Sequence, residues 1–452
     1  MEQKVNTREL VTEMLMEIYA GREYSHILLR NVLDKYDYLN ENDKAFMKRL
    51  TEGTLERGIQ IDYVLNSFSK VQVNKMKPFI RSLMRMSVYQ ILFMDKVPDS
   101  AACNEAVKLA QKRKFGTLKG FVNGVLRAVA RQKDTISYPD RDKEPLLYLS
   151  VQYSMPALVI KLVVDDYGME QAEQILLGMQ ADRSVCIRMN ETLAPELIEE
   201  AVAEWNSKGV IVTRHTWLPY AYLLTNTEKL SRMTGFMNGL YTVQDISSML
   251  VCEIADIREN DRVIDVCAAP GGKTLHAACK LHETGMVDAR DVSSYKTDLI
   301  MENVNRLHAD NVSVKVFDAT IKDNDAIESA DVMLLDIPCS GLGVIGKKPE
   351  IRYRLNEDGL KELETLQKQI IDTVWEYVKP GGTLIYSTCT IRRAENEQMV
   401  SYLLSKYPFT LQSIDTYLPE ELRSEETKEG KLLLFPTQRN DGFFMARLTR
   451  EK

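Results

Sequence analysis

The chain has 452 residues, 44% hydrophobic and 27% charged, with a formal net charge of −7. That length exceeds one ordinary core, so two or three domains are expected, and no apolar run approaches the length of a bilayer crossing. The opening MEQKVNTREL lacks the apolar stretch of a secretory signal, and the seven cysteines form no CxxC pair, so a reduced cytoplasmic protein without metal, disulfides or a membrane partner is expected.

The first part reads as helix after helix. Glu9–Tyr19 places Leu10, Val11, Met14, Leu15, Ile18 and Tyr19 on one face. Helices are also expected over Asn42–Leu65, Pro78–Phe93, Ser100–Gln111 and Leu118–Gln132, with Pro78 suited to a first turn. The basic loop Lys112–Gly120 lies between the last two, and DTISYPDRDKEP reads as a linker. Up to Asp140 there are 23 Lys and Arg against 17 Asp and Glu, so a part of charge +6 precedes a remainder of −13. The cations concentrate in Lys70, Lys75, Lys77, Arg81, Arg85, Lys112, Arg113, Lys114, Lys119, Arg127, Arg131 and Lys133. A basic module joined to an acidic one suggests a polyanionic partner; a solvated helical surface explains the charge equally well.

A middle segment over 146–235 mixes types. Pro156–Tyr167, Glu170–Met179 and Pro195–Asn206 have helical patterns, while Val185–Met189 and Val210–Val212 are short strands. A small α+β unit without a chemical motif is expected there. From Arg262 onward strands alternate with helices. The strands are Arg262–Val266, Met286–Arg290, Val312–Phe317, Val332–Leu335, Thr383–Ser387, Thr410–Ile414 and Phe443–Leu448. The helices between them include Thr274–Leu281, Tyr295–Leu307, Gly359–Val378 and Ala394–Tyr407. This alternation predicts a mainly parallel, doubly wound α/β sheet whose ligands bind at the carboxyl ends of the strands.

The first of these strands runs into Cys267-Ala268-Ala269-Pro270-Gly271-Gly272-Lys273-Thr274 and then a helix, a turn that brings backbone close to a ligand. A phosphate loop would need its first Gly where Cys267 stands, and a dinucleotide fingerprint would need three spaced glycines. S-adenosylmethionine needs only a tight backbone approach. The carboxylates favour it: Asp291 follows the second strand, suited to ribose hydroxyls, and Asp318 the third, suited to the adenine amine. Helix capping explains each singly but not one at the end of each successive strand.

The fourth strand ends in Asp336-Ile337-Pro338-Cys339-Ser340-Gly341 and the fifth in Ser387-Thr388-Cys389-Thr390. Two thiols and a carboxylate therefore converge beside the methyl donor. Carbon 5 of cytosine accepts a methyl group only after a thiolate adds to carbon 6, and release then needs a base. Enzymes that methylate exocyclic amines typically end the fourth strand in Asp/Asn-Pro-Pro-aromatic and need no thiol. Spacing does not say which cysteine attacks.

The set DVCAAPGGKT, LLDIPCSGLGVIGKKPEIR, YSTCTI with Glu395-Asn396-Glu397, and RNDGFF resembles the Fmu/Sun family of bacterial 16S rRNA cytosine-5 methyltransferases over essentially the whole chain. The resemblance implies a multidomain chain. Residues 1–135 are an all-α NusB-like RNA-binding domain, 146–235 a small α+β middle domain, and 236–452 an α/β Rossmann-like S-adenosylmethionine-dependent methyltransferase domain. It implies Cys267–Lys273 as cofactor loop, completed by Asp291, Asp318 and Asp336. It makes Cys389 the nucleophile and Cys339 the aid to product release, the reverse of DNA cytosine methyltransferases. Related members often have Asp where this chain has Glu350. The implied partner is 16S rRNA, naked or in an early assembly intermediate with an unfolded target, bound by a monomer. Two readings compete with it: the same chemistry on tRNA or another rRNA site, and a non-catalytic RNA-binding assembly factor. Gly271-Gly272, three Asp and both cysteines argue against a decayed site.

Overall fold

The computed structural model describes residues 5–227 and 230–452. Its contacts divide the chain into two compact units: the stretch up to Gln180 with Ile345–Asn356, and Ala181–Val344 with Glu357–Lys452.

The first unit is helical, with α1 (Thr7–Tyr19), α2 (Ser25–Lys35), α3 (Glu41–Glu56), α4 (Gly58–Phe68) and α5 (Pro78–Phe93) followed by α6 (Asp99–Lys112), α7 (Lys119–Gln132), α8 (Pro145–Gln152) and α9 (Ala157–Met179). Asn6 and Asn40 cap α1 and α3 by accepting from Glu9 N and Asp43 N. The stretch expected as one helix over Asn42–Leu65 is two. The chain breaks at Arg57, and a Cβ on Gly58 would lie 2.3 Å from the Tyr353 hydroxyl, so only glycine admits that ring. Val11, Leu15, Leu50, Leu83 and Leu126 form part of the core, with α5 buried on most of its surface. In α9 the chain departs from helical geometry at Gly168 (φ 76°), between the two helices expected there.

The division differs from the expected 146–235 domain. Residues 145–179 pack with the helical unit, where Ser154 Oγ accepts Ile59 N at 3.0 Å from the start of α4. The segment Ile345–Asn356 is fastened into the same unit. Arg352 donates to the carbonyls of Glu56 (2.7 Å) and Ser154 (3.0 Å), and the Tyr353 hydroxyl to that of Leu55. Buried Glu350 accepts Ser25 N (3.3 Å) and Ser25 Oγ (2.7 Å) at the start of α2, with His26 Nδ1 at 3.7 Å. Glu350 thus takes the place of the capping side chain that α2 lacks.

The second unit holds two sheets. The smaller is antiparallel, in the order β2 (Ile211–Arg214), β3 (Ala221–Thr225), β1 (Val185–Met189), β4 (Tyr241–Val243), with α10 (Pro195–Ser207) against it. Only two of its strands were expected. Then come α11 (Ile246–Ala255), β5 (Arg262–Asp265), α12 (Gly272–Lys280), β6 (Met286–Asp291), α13 (Ser294–Leu307), β7 (Val312–Val316) and β8 (Ala330–Asp336). They are followed by α14 (Glu357–Val374), β9 (Val378–Thr388), α15 (Glu397–Lys406), β10 (Phe409–Leu411), α16 (Glu425–Lys428), β11 (Lys431–Leu434) and β12 (Phe443–Arg450). The large sheet has the order β10-β12-β9-β8-β5-β6-β7, with β11 beside β12. Strands β5 to β9 run parallel, and β12 is antiparallel to β9. Among the described residues no single helix is long and apolar enough to cross a membrane.

Burial alone would push the Glu350 carboxyl up, but His26 and the Ser25 bonds hold it below its ordinary value. Glu350→Ala leaves the Ser25 donors without their acceptor and is expected to cost about 1–3 kcal/mol of stability in urea denaturation at neutral pH. A carboxylate with a lowered folded pKa contributes above its unfolded value and loses that contribution as pH falls through the folded one. The gap between the two proteins should therefore close in acid.

Candidate active site

Strand order reverses between β5 and β8, which makes their carboxyl ends the mouth of a crevice. The turn from β5 into α12 lies there. Its Ala269–Pro270 peptide is cis, and Gly271 (φ 102°) opens α12 in a conformation other residues rarely adopt. Asp291, at the end of β6, accepts Ala269 N (3.0 Å) and Val292 N (2.8 Å), with Lys296 Nζ at 3.0 Å. Asp318 stands two residues past β7; one of its oxygens accepts the backbone and hydroxyl of Thr320, which lowers its pKa.

Asp336 ends β8 and holds Lys273 Nζ at 2.6 Å on one oxygen and accepts Ser387 Oγ at 2.8 Å on the other. Lys273 also lies over the Phe443 ring, 5.1 Å from its centroid. The pairing of β8 with β9 puts Asp336 opposite Ser387, and the ladder continues to Ile337 N on Ser387 O. Just beyond, the Cys339 and Cys389 sulfurs lie 3.3 Å apart without a disulfide bond.

A buried carboxylate underlies this pair. Glu395 accepts Ser340 N (2.8 Å), Ser340 Oγ (2.5 Å) and Gln367 Nε2 (3.1 Å). Gln367 also donates to Pro338 O at 2.9 Å. Asn396 donates to Thr390 O (3.0 Å) and accepts Thr388 Oγ1 (2.6 Å), gripping both neighbours of Cys389. Backbone completes the hold: Gly343 N donates to Cys389 O and Gly442 N to Gly343 O, each at 3.0 Å. Glu395 and Asn396 stand in the motif after YSTCTI, Gly343 in LLDIPCSGLGVIGKKPEIR and Gly442 in RNDGFF, but their supporting roles emerge only in the fold.

Electrostatics separate the groups. Burial pushes the Asp265 carboxyl up to about 7; one oxygen accepts Thr274 Oγ1 at 2.6 Å and the other is buried without a partner. Burial also pushes the Cys267 thiol up, as expected of a structural cysteine. The Cys339 thiol is raised by its hydrogen bond with Cys389, by burial and by the neighbouring charges, so it retains its proton.

The donor set fits S-adenosylmethionine. Lys273 and Lys296 are paired to Asp336 and Asp291, leaving no lysine of the site for a triphosphate, while the turn and the acids suit ribose and adenine. In the helical unit some expected cations are neutralised: Arg85 pairs with Asp62, Lys112 and Arg113 with Glu9, and Lys133 with Asp99. Lys75, Lys77, Lys114 and Lys119 remain exposed, and Lys77 lies 5.7 Å from the centroid of the Phe115 ring, which stacks on Phe79.

Residues 253–449 match the family model described as 16S rRNA methyltransferase RsmB/F, and residues 5–131 match the NusB family. The chain is 33% identical to the Probable ribosomal RNA small subunit methyltransferase B of Bacillus subtilis, covering 99% of each chain. It is 28% identical to the ribosomal RNA small subunit methyltransferase B of Klebsiella pneumoniae, covering all of both. The crystal structure of PH0851 superposes over 100% of both chains with a TM-score of 0.82 at 26% identity.

Two measurements probe this geometry. A carboxyl whose folded pKa is raised to about 7 binds its proton more tightly folded than unfolded, so stability falls as pH rises from the unfolded value through 7. Thermal melts of the wild type should decline from pH 5 to 8, and Asp265→Asn, which keeps an acceptor for Thr274, should flatten that decline. A Cβ on Gly343 would lie 1.9 Å from Gly442 O and 2.9 Å from Cys389 O. Gly343→Ala is expected to cost roughly 1–3 kcal/mol in urea denaturation.

Proposed function

Because the chain belongs to the ribosomal RNA small subunit methyltransferase B family, we propose that it methylates carbon 5 of a cytosine in 16S rRNA with Cys389 as the attacking nucleophile. The observation that carries this reading is the pair of sulfurs 3.3 Å apart beside the Lys273–Asp336 ion pair at the mouth of the crevice. Methylation of an exocyclic amine requires no thiol, and two facing thiols are what addition and release require.

The methyl donor is S-adenosylmethionine. Backbone of Cys267, Ala268, Ala269, Pro270, Gly271 and Gly272 and the side chains of Lys273, Asp291, Asp318 and Asp336 are the residues that would hold it. Asp291 serves the ribose hydroxyls and Asp318, with one oxygen taken by Thr320, the adenine amine. When bound, it supplies an electrophilic methyl group on a sulfonium centre.

The chain's own part begins at Cys389. Its thiolate forms a bond to carbon 6, and the displaced electron pair makes carbon 5 nucleophilic. Lys273, paired to Asp336, sets a positive charge near Cys389 and favours the thiolate. After methyl transfer a solvent base accepts the carbon-5 proton, the carbon–hydrogen electron pair restores the double bond between carbons 5 and 6, and the sulfur–carbon bond breaks with its electron pair returning to Cys389. Cys339, in contact with the attacking sulfur, assists that release. The target base must leave its stack to reach a half-buried thiol, so the substrate is unfolded or single-stranded RNA.

Cys389→Ala is expected to lower methylation by roughly a thousandfold or more, whereas Cys339→Ala should trap a covalent RNA–protein adduct on denaturing gels. An adduct formed by Cys389→Ala instead would reverse the two roles. Bisulfite sequencing of RNA from a deletion strain should show one unmethylated 16S cytosine; loss of a tRNA mark with 16S intact would sink the substrate assignment.

A further inference from the structure

Resting on that reading, we propose that Glu395 is a positioning residue that decides which of the two thiols attacks, by bracing the Cys339 loop and setting a negative charge beside it. Glu395 lies in the turn between β9 and α15, fully buried. Its carboxylate binds the backbone and hydroxyl of Ser340, the residue after Cys339, and Oε2 is 3.4 Å from Thr390 Oγ1, on the residue after Cys389. One side chain thus ties together the turns that carry both sulfurs. The Tyr386 hydroxyl donates to the carbonyl of Glu395 and fixes the residue from the strand below.

Burial pushes the Glu395 carboxyl above its ordinary value, and the donors from Ser340 and Gln367 with the nearby Arg392 oppose that shift without reversing it. Donors converging on both oxygens are the pattern of an ionised acceptor. The hydrogen bond with Cys389 and burial raise the Cys339 thiol and the Glu395 charge adds to that, whereas the Lys273 ammonium acts on Cys389. The sulfur pair therefore sits between an anion that disfavours thiolate at Cys339 and a cation that favours it at Cys389. With their sulfurs in contact, a proton shared by the two thiols is assigned to Cys339 by this field. Gly343 holds the Cys389 carbonyl through backbone alone and supplies no such asymmetry.

The test is site-resolved alkylation of the full-length protein with iodoacetamide, read by mass spectrometry at neutral pH without RNA. Wild type should label Cys389 faster than Cys339, by ~10-fold or more. Glu395→Gln should bring the ratio near one with S-adenosylmethionine affinity by calorimetry unchanged, and Glu395→Asp should restore the preference. A wild type that labels both thiols equally, or Cys339 first, would overturn the proposal. So would a Glu395→Gln protein that melts earlier yet keeps the ratio, since that is the mark of a purely structural role. Should Glu395→Gln fail to fold, Ser340→Ala removes one tie and leaves the backbone tie and the charge: a preference for Cys389 kept even in part supports the proposal, and Cys339 labelling as fast or faster overturns it. Because the labelling uses no RNA, a wild type that leaves 16S rRNA unmethylated would defeat the functional reading alone.

Discussion

Parallel pairing of β8 with β9 sets Leu335 opposite Tyr386 and Asp336 opposite Ser387. Because successive side chains of a strand alternate between faces, a slip of one residue would turn Asp336 away from Lys273 and Tyr386 away from Glu395. The two chains part just past this register, and each reaches its cysteine within three residues. So short an excursion leaves little freedom, and what remains is taken up by Glu395, Asn396 and the Gly343–Gly442 contact. The sulfur–sulfur distance is thus a consequence of strand register with a few polar ties.

The same economy governs the buried charges. Arg290 lies between Asp288 (2.7 Å) and Asp323 (2.9 Å), and Arg183 pairs with Asp441. Asp441 N in turn donates to Asp245, the residue that caps α11. A buried pair contributes little net stability, but a single uncompensated member is costly, so such pairs fix geometry by penalising alternatives. Asp265 follows a different course: with one oxygen unpartnered it is not held as an anion, and its pKa rises instead. Asp265 and Asp336 stand at neighbouring strand ends, and Lys273 is bonded to the second of them.

Strongly periodic elements were legible in the sequence. Pro78–Phe93 appears as α5 with the same ends, and the parallel sheet follows from alternation of strands with helices. Elements stabilised from afar were not. Helix α2 takes its N-terminal carboxylate from Glu350, more than 300 residues away, and β3 and β4 depend on pairing to β1. At the site, the glycine turn, the acids and the thiols were legible because they stand at strand ends. Glu395 was hidden for a physical reason: the expected helix Ala394–Tyr407 includes it and gives its side chain no inward role. In the structure α15 starts at Glu397, and the preceding turn folds the carboxylate inward against Ser340.

Charge also explains why the chain carries an acidic and a basic part. Carboxylates line the crevice, and they would repel the phosphates of an RNA strand while leaving a neutral base unopposed. A pocket of this kind favours a neutral base over the phosphate backbone. Attraction for the backbone must then come from elsewhere in the sequence. Lys75, Lys77, Lys114 and Lys119 are exposed on the helical unit, with Lys77 over the Phe115 ring. Neutralised cations such as Arg85 and Lys133 belong instead to the framework of that unit. A net negative protein can thus bind a polyanion, provided its cations and its chemistry occupy different parts of the chain.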